Sequence, residues 1–593
     1  MQIHALVKSV FEIRREEWKR VILMFLYFYL TIASYYVLKA VRNAYFVDRL
    51  GADSLPWVKI VIAVLTGIFV YIYSRIANKT VLRNLINGSL LFLISNLAFF
   101  WLLFNYEANW IPFSFFIWVT LFSSVSVTQF WTFAADLFDA WEAKRVFGLV
   151  GAGGLIGGMS GSYVSAHFAK IIGTRNLLIV AGGVIFLCIL IVSYLWKFEL
   201  KKMTSTNGRQ THSDKMATAQ ERFKEGPIAL IRRSRYLFYL LMLVAVTKFA
   251  TELTEWQLNK MAEIHVTTGM DDLTAFFGQV FAYMNTISLV VQILGTTVFL
   301  RFIGGAATLF LLPGGLLLGT GLLFFFPAVW SVSVLKIIDG SLRYSIYQSA
   351  KEFVYLPIQK VVRYKIKPFI DMFVYQFSKG MAAFFVILIN GFIFNYMVKY
   401  FPGEETKVLM VSVIVFLSLL IWFFIVVMLK REYPMAIREF LNLEGEFRSL
   451  EHKEEMLDRM VQARSAYGAL QTDRAALRKL VIGEVMVYQR LIEENKLRYE
   501  GVVPNEELHQ KTNDALFTKL EESLYRTFAL LSMLFDAPDV TMICDNYLRG
   551  DEYVRANALE LLDMHLDQEL KTTLHTILDG ELAIANFTAE AVD

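Results

Sequence analysis

The stretch Phe130–Gly161, FWTFAADLFDAWEAKRVFGLVGAGGLIGGMSG, decides how the rest of the chain is read. An apolar run ends at Ala135, a polar insert follows (Asp136, Asp139, Glu142, Lys144, Arg145), and a glycine-dense apolar run begins. Gly153, Gly157 and Gly161 fall at i, i+4 and i+8, with Gly154 and Gly158 beside them. On a helix this leaves one face almost bare of side chains, so another backbone or a ligand can approach closely. A soluble phosphate loop is a poor fit, because GAGGLIGG is not followed by GK[ST] and has no strand ahead of it. The glycines lie inside a segment long enough to span a bilayer. They predict close helix–helix packing in a membrane, with substrate access along the same face as the alternative.

Working outward, 56% of the 593 residues are hydrophobic and the mean hydropathy is +0.47, a composition that implies a polytopic membrane protein. Twelve apolar runs of roughly 18–25 residues, the length that crosses a bilayer, fall into two sets of six. The expected organisation is a short amphipathic helix over 1–20, a six-helix half over 21–197, a polar linker over 198–235, a second six-helix half over 236–430 and a soluble helical region over 431–593. Charge marks the last boundary. Residues 431–593 carry 18 Lys and Arg against 31 Asp and Glu, while the first 430 carry 40 against 23. Basic residues near the span ends favour one side consistently, which places both termini and the linker in the cytoplasm; a bacterial inner membrane is the expected location. Two six-helix halves joined by a cytoplasmic linker is the major-facilitator-like plan.

The C-terminal segments APDVTMICDNYLRG, DEYVRANALELLDMHL and DQELKTTLHTILDG read as consecutive short helices of HEAT-like character, with a plain helical bundle as the alternative. A protein partner for this acidic region is an expectation of that reading. The fold class is therefore all-α throughout. Cys188 and Cys544 form neither a disulfide framework nor a metal site, and the eight histidines show no metal-binding spacing. Neither an enzyme, a cofactor nor a nucleic-acid ligand is implied.

Ionisable residues within apolar runs are costly in lipid and so usually face a cavity or a partner. Lys39 and Arg42 close the first run, Lys248, Glu252 and Glu255 occupy the seventh, Lys336, Asp339 and Arg343 the tenth, and Asp371 and Lys379 the eleventh. Lys248 and Glu252 stand four apart on one helical face, as do Asp339 and Arg343, so each is either an internal ion pair or part of a gate. Lys39 and Arg42 mark either the membrane interface or a positive cavity suited to an anionic solute.

Three blocks resemble the nucleotide transporter family, the ADP,ATP carrier proteins of plastids and obligate intracellular bacteria. These are YYVLKAVRNAYFV (35–47), the opening stretch, and LRYSIYQSAKEFVYLPIQKVVRYKIKPFIDMFVYQFSKGMAA (342–383). The resemblance runs in order over 20–430. It implies exchange of nucleotides, commonly ATP for ADP, with Arg42 at the family's first-span Lys, Lys351 at the Lys of its KE-YIPL block, and Glu252 or Glu255 at its seventh-span Glu. The chain departs from the family in Arg42, in Asn43 where an Asp is expected, in Val119 and Thr120 near the fourth-span Glu, and in its appended C-terminal region. The expected activity is alternating-access transport of an anionic phosphorylated solute. Arg42 and Lys351 bind its phosphates, Lys39 and Arg343 support them, and Glu252 or Glu255 pairs with a base when the site is empty. A non-transporting scaffold or sensor whose C-terminal region binds a protein, and a carrier of another anion or of a lipid-linked phosphate, are the competing readings.

Overall fold

Inside a bilayer a helix satisfies its own backbone amides, whereas a strand needs a closed barrel. The computed structural model follows the first route: its described residues are helical, with no strand among them. They comprise 18–77, 82–138, 140–203, 227–294, 305–355, 360–394, 403–446, 474–499, 522–535, 537–549 and 552–566, with a few isolated positions. Most of the surface helix expected over 1–20, most of the linker over 198–235 and much of 431–593 lie outside them. So do the side chains of Asp136 and of residues 139–145.

The chain divides into two units, one of Met1–Val354 with Val361–Leu429 and one of Tyr355–Lys360 with Lys430–Asp593. In the first, α1 (Trp18–Leu50), α2 (Leu55–Ala77), α3 (Leu82–Leu103), α4 (Trp110–Leu137), α5 (Ala140–Ile172) and α6 (Leu177–Met203) form one set. The second set is α7 (Arg235–His265), α8 (Met270–Leu294), α9 (Leu311–Phe325), α10 (Val329–Leu342), α11 (Tyr375–Leu388) and α12 (Glu405–Glu446). Eight helices among the described residues are long and apolar enough to cross a membrane, which establishes a multi-pass membrane protein. Three π-helical stretches occur among the described residues, Arg343–Tyr347, Phe369–Val374 and Ile389–Ile393, all in the second half.

The two sets repeat one packing scheme. Helix α1 packs on α4 and α5 as α7 packs on α10 and α11, and α5 meets α8 as α11 meets α2. The last two contacts join the halves. Within the first half, where α5 packs on α1, the glycine stripe sits where no side chain fits. A methyl at Gly153 would lie 2.7 Å from the Phe25 carbonyl oxygen, and methyls at Gly157 and Gly161 would overlap the carbonyl oxygens of Tyr29 and Ala33. Helix α5 thus lies backbone to backbone on α1, four residues per step on both. On its other side Gly278 of α8 approaches the Ala166 backbone equally closely. Aromatic stacking fills the rest of the first half, with Phe28 on Phe130 at 4.1 Å and Tyr45 on Phe104 at 3.9 Å between ring centroids.

In the second unit α13 (Arg474–Tyr499) buries Leu477, Val481, Val485 and Tyr488 along one face. Helices α14 (Ala537–Arg549) and α15 (Glu552–His565) pack on each other through Ile543, Cys544, Tyr547, Val554, Ala558 and Leu561.

Candidate functional site

The interior charges gather around α7. Each would cost about 2.5–3.5 kcal/mol at a span centre facing lipid, and pairing within the bundle removes most of that cost. Glu255 accepts from Lys336 of α10 at 3.2 Å and faces Arg42 of α1 at 3.9 Å. One turn earlier, Glu252 pairs with Lys59 of α2 and lies 3.7 Å from Lys379 of α11. Both carboxylates of α7 therefore link the two halves, each gripping one cation from either side.

Lys248 does not pair with Glu252, although the spacing permits it. Lys59 and Lys379 take the Glu252 carboxylate, and the Lys248 ammonium instead sits 4.3 Å over the Tyr375 ring. Asp339 and Arg343 do form the pair that their spacing allows, at 3.0 Å, and Lys336 joins them at 3.0 Å from the same Asp339 oxygen. Lys351 lies 3.3 Å from Asp371.

Arg42 is buried with its guanidinium fully engaged. Its Nη1 donates to Thr120 at 2.9 Å, its Nε and Nη2 to the Asn43 side chain at 3.1 and 2.9 Å, and the Phe116 ring lies 4.1 Å beneath it. Lys39 is also buried, over the rings of Phe281 at 4.2 Å and Tyr36 at 5.3 Å, without an ion-pair partner among the described residues.

A cavity of about 160 Å³ opens beside this network, lined by Lys248, Arg343, Tyr347, Lys351, Asp371 and Tyr375 together with Val244, Thr247 and Gln348. That is room for on the order of ten waters. Two π-helical stretches build its wall: one carries Arg343 and Tyr347, the other Asp371. A π turn inserts a residue into the helix and swings its neighbours off the regular face, and such turns recur at functional sites. Lys351 and Arg343 thus share the cavity, while Arg42 and Lys39 stand with Glu255 and Lys336 at the seam between the halves.

A second polar cluster closes one end of the bundle. After α1, Gly51 takes φ 73°, a backbone shape that a side chain resists, and a 3-10 turn over Ala52–Ser54 leads into α2. Asp53 in that turn accepts from Lys260 at 3.1 Å, Lys407 at 3.0 Å and Asn390 at 3.0 Å. Glu404 accepts from both lysines at 2.8 Å, and Glu263 accepts from the Ala52 amide at 3.0 Å. Burial alone would raise the pKa of Glu404, but the hydrogen bonds from Lys260 and Lys407 outweigh it and hold the carboxyl below the usual range. At the same end the Thr174 amide donates to Asp271 at 2.7 Å and Lys170 pairs with Asp272 at 2.5 Å, again across the halves.

Sequence alone marked Lys379 only as a charge inside an apolar run and gave no site role to Lys59, Tyr375 or the Asp53 cluster. The one available signal for Lys59 was its place near the start of an otherwise apolar run, LPWVKIVIAV, where an outer-interface role serves equally well. The Asp53 cluster assembles from four distant segments and leaves no local pattern. No group of three or more metal-ligating side chains occurs among the described residues.

Residues 132–350 match the family model of the Major Facilitator Superfamily. Among curated proteins, the chain is 23% identical over 504 residues to ADP,ATP carrier protein 3 of Rickettsia conorii, covering 71% of this chain and 96% of that one. It is 23% identical over 446 residues to ADP,ATP carrier protein 1 of Chlamydia pneumoniae, covering 63% and 84%. Among solved structures, a POT family transporter in complex with 5-aminolevulinic acid aligns with TM-score 0.48 and 11% identity over 69% of this chain and 96% of that one. The chain is an all-helical, multi-pass membrane protein with weak sequence similarity to ADP,ATP carriers and, over its middle, to major-facilitator proteins.

Proposed function

We propose that this protein is a secondary transporter that moves an anionic phosphorylated solute, of the nucleotide class, by alternating access between two six-helix halves. The observation that carries the reading is the imbalance of interior charge. Among the described residues, Lys39, Arg42, Lys59, Lys248, Lys336, Arg343, Lys351 and Lys379 are set against four interior carboxylates, Glu252, Glu255, Asp339 and Asp371. An excess of four formal positive charges around an interior cavity calls for a polyanion. Similarity to ADP,ATP carriers supplies the chemical class.

In this reading Glu252 and Glu255 stand in for the solute. Each holds a cation of the first half while the site is empty, and an arriving phosphate chain replaces them. Arg42 and Lys351 then contact phosphate oxygens, with Lys39 and Arg343 in support, and release of the carboxylates frees the halves to move. The cluster around Asp53 is the outer closure, the basic linker side being cytoplasmic, so the cavity communicates with the cytoplasm. Twelve helices span the membrane, and the acidic region over 431–593 is a HEAT-like cytoplasmic appendage that binds a protein partner. Three of the chain's departures from the family pattern meet in one place, since Arg42 donates to both Asn43 and Thr120. Such a cluster suits a solute bound in a different geometry from that of the ADP,ATP carriers.

The test is uptake of labelled ATP, ADP and GTP by cells that express the full chain, with Arg42→Ala and Lys351→Ala alongside. Saturable uptake lost in both variants supports the reading. Absence of uptake of any nucleotide, with the protein shown to be in the membrane, refutes it.

A further inference from the structure

Three cations line the interior cavity, and they are not equally available. Arg343 donates through Nη2 to Asp339 at 3.0 Å, and Lys351 lies 3.3 Å from Asp371. Lys248 has no carboxylate within ion-pair distance among the described residues, and its ammonium rests on the Tyr375 ring at 4.3 Å. An anion reaching Arg343 or Lys351 has to compete with a carboxylate that already holds the charge. One reaching Lys248 has to displace only the face of a ring, a weaker hold than a charge-assisted hydrogen bond in the same interior. Arg343 adds a second opening, because its Nε is buried with no hydrogen-bond partner. A buried donor without a partner is a standing cost that an acceptor in the cavity would remove.

We propose that Lys248 is the first anchor for a phosphate group entering this cavity, that Tyr375 holds its ammonium in waiting, and that Arg343 Nε completes the contact. The inference rests on the phosphorylated-anion reading above and names the side chains that begin binding. It also explains why Lys248 stands one turn from Glu252 without pairing to it. A lysine already neutralised by Glu252 would offer an entering anion only what it could win from a carboxylate.

The experiment is calorimetric titration of the purified full chain with ADP, ATP and pyrophosphate. Wild type is compared with Lys248→Gln, Lys248→Arg, Tyr375→Phe and Tyr375→Leu. Losing a charge-assisted contact, Lys248→Gln should weaken binding about 30-fold for all three probes, while Lys248→Arg and Tyr375→Phe stay close to wild type. Tyr375→Leu is the distinguishing variant: freed from the ring, the ammonium should bind about 3-fold tighter, an effect that a purely structural tyrosine would not produce. Wild-type affinity in Lys248→Gln overturns the anchor and leaves the phosphorylated-anion reading standing. Failure of folded wild-type protein to bind any probe removes that reading and this inference with it. If Lys248→Gln is not recovered as monodisperse protein, Tyr375→Leu decides, and unchanged or weaker binding there overturns the anchor.

Discussion

Helices α1–α6 contribute Lys39, Arg42 and Lys59 to the interior ion network and, among the described residues, no carboxylate. The second half, from α7 to α12 with the segments between them, contributes five cations and all four described carboxylates of the network, and it holds every π-helical stretch described. The first half is regular and seamed by glycine; the second is irregular at the places where it meets the cavity. The first half therefore relies on Glu252 and Glu255 of its partner to neutralise buried charge. A regular half that presents bare positive charge and an irregular half that covers it form a latch in the proposed transport reading, in which an anion from outside would replace either carboxylate.

The largest break of this comparison is on the regular side. Gly157→Leu or Gly161→Leu would drive a side chain into the carbonyl of Tyr29 or Ala33, where backbone cannot yield as a side-chain tip can. Overpacking by even a methylene costs about 1–3 kcal/mol where neighbours can shift, so both variants should give little or no folded protein by size-exclusion chromatography. Gly151→Ala and Gly183→Ala, which meet nothing within 4 Å, should be recovered at wild-type yield. Equal yields for all four would show that α1 and α5 do not need this contact.

The glycine stripe was legible in the sequence because spacing along one helix is local information. The ion network was only half legible. That Lys39, Arg42, Lys248, Glu252, Glu255, Asp339 and Arg343 lie inside apolar runs can be read directly, since lipid makes each one anomalous. Which of them meet cannot be read. Lys248 and Glu252 share a helical face, yet the Glu252 carboxylate turns to Lys59 and Lys379, which are 193 and 127 residues away in sequence. Short-range spacing proposes partners, and the packing of α2 and α11 chooses among them. The π turn at Arg343–Tyr347 was invisible for a related reason: RYSIY contains neither the proline nor the glycine that usually announces a break.

Next in size is the latch itself. Glu255→Gln leaves Arg42 and Lys336 facing each other without their shared carboxylate, and removal of one partner from a buried pair costs about 3 kcal/mol. Thermal unfolding of the detergent-solubilised protein should fall accordingly. The same variant should gain affinity for polyanions, because no internal carboxylate competes, so saturating ADP should restore more of the melting temperature in Glu255→Gln than it adds to wild type. Equal restoration in the two proteins would mean that Glu255 is structural only.

A smaller effect belongs to the cluster around Asp53, which ties the halves together at one end with partly exposed charges. The depressed pKa of Glu404 means that its contribution to the closure is present above the ordinary carboxylate pKa and is lost as pH falls through its lower folded value. Acidification from pH 7 to about pH 3, below the ordinary carboxylate range, should raise the accessibility to a polar quencher of a fluorophore attached beforehand, at pH 7, to a cysteine placed at Ser54. Asp53→Asn should produce part of that increase already at pH 7, and high salt should add to it because exposed charges are screened. A fluorophore equally accessible at both pH values in wild type and variant would show that hydrogen bonds and packing, such as Trp256 on the Ala52 carbonyl, close this end without the charges.

The smallest expected effect tests whether the first half supplies charge alone or a shaped contact. Arg42→Lys keeps the positive charge opposite Glu255 but cannot reach Thr120 and Asn43 at once through a planar fork. The charge opposite Glu255 is retained and only hydrogen bonds to Thr120 and Asn43 are lost, so stability should fall by about 1 kcal/mol. Transport separates the alternatives. If half one supplies only charge, Arg42→Lys keeps both KM and kcat, as a point cation answers Glu255 and a phosphate equally well. If the fork orients the solute, KM rises several-fold at constant kcat, and Thr120→Val, which removes the hydroxyl that holds Nη1, shifts KM in the same direction while leaving the charge untouched. A matched shift in the two variants would place the specificity of the regular half in the geometry of Arg42 and not in its sign.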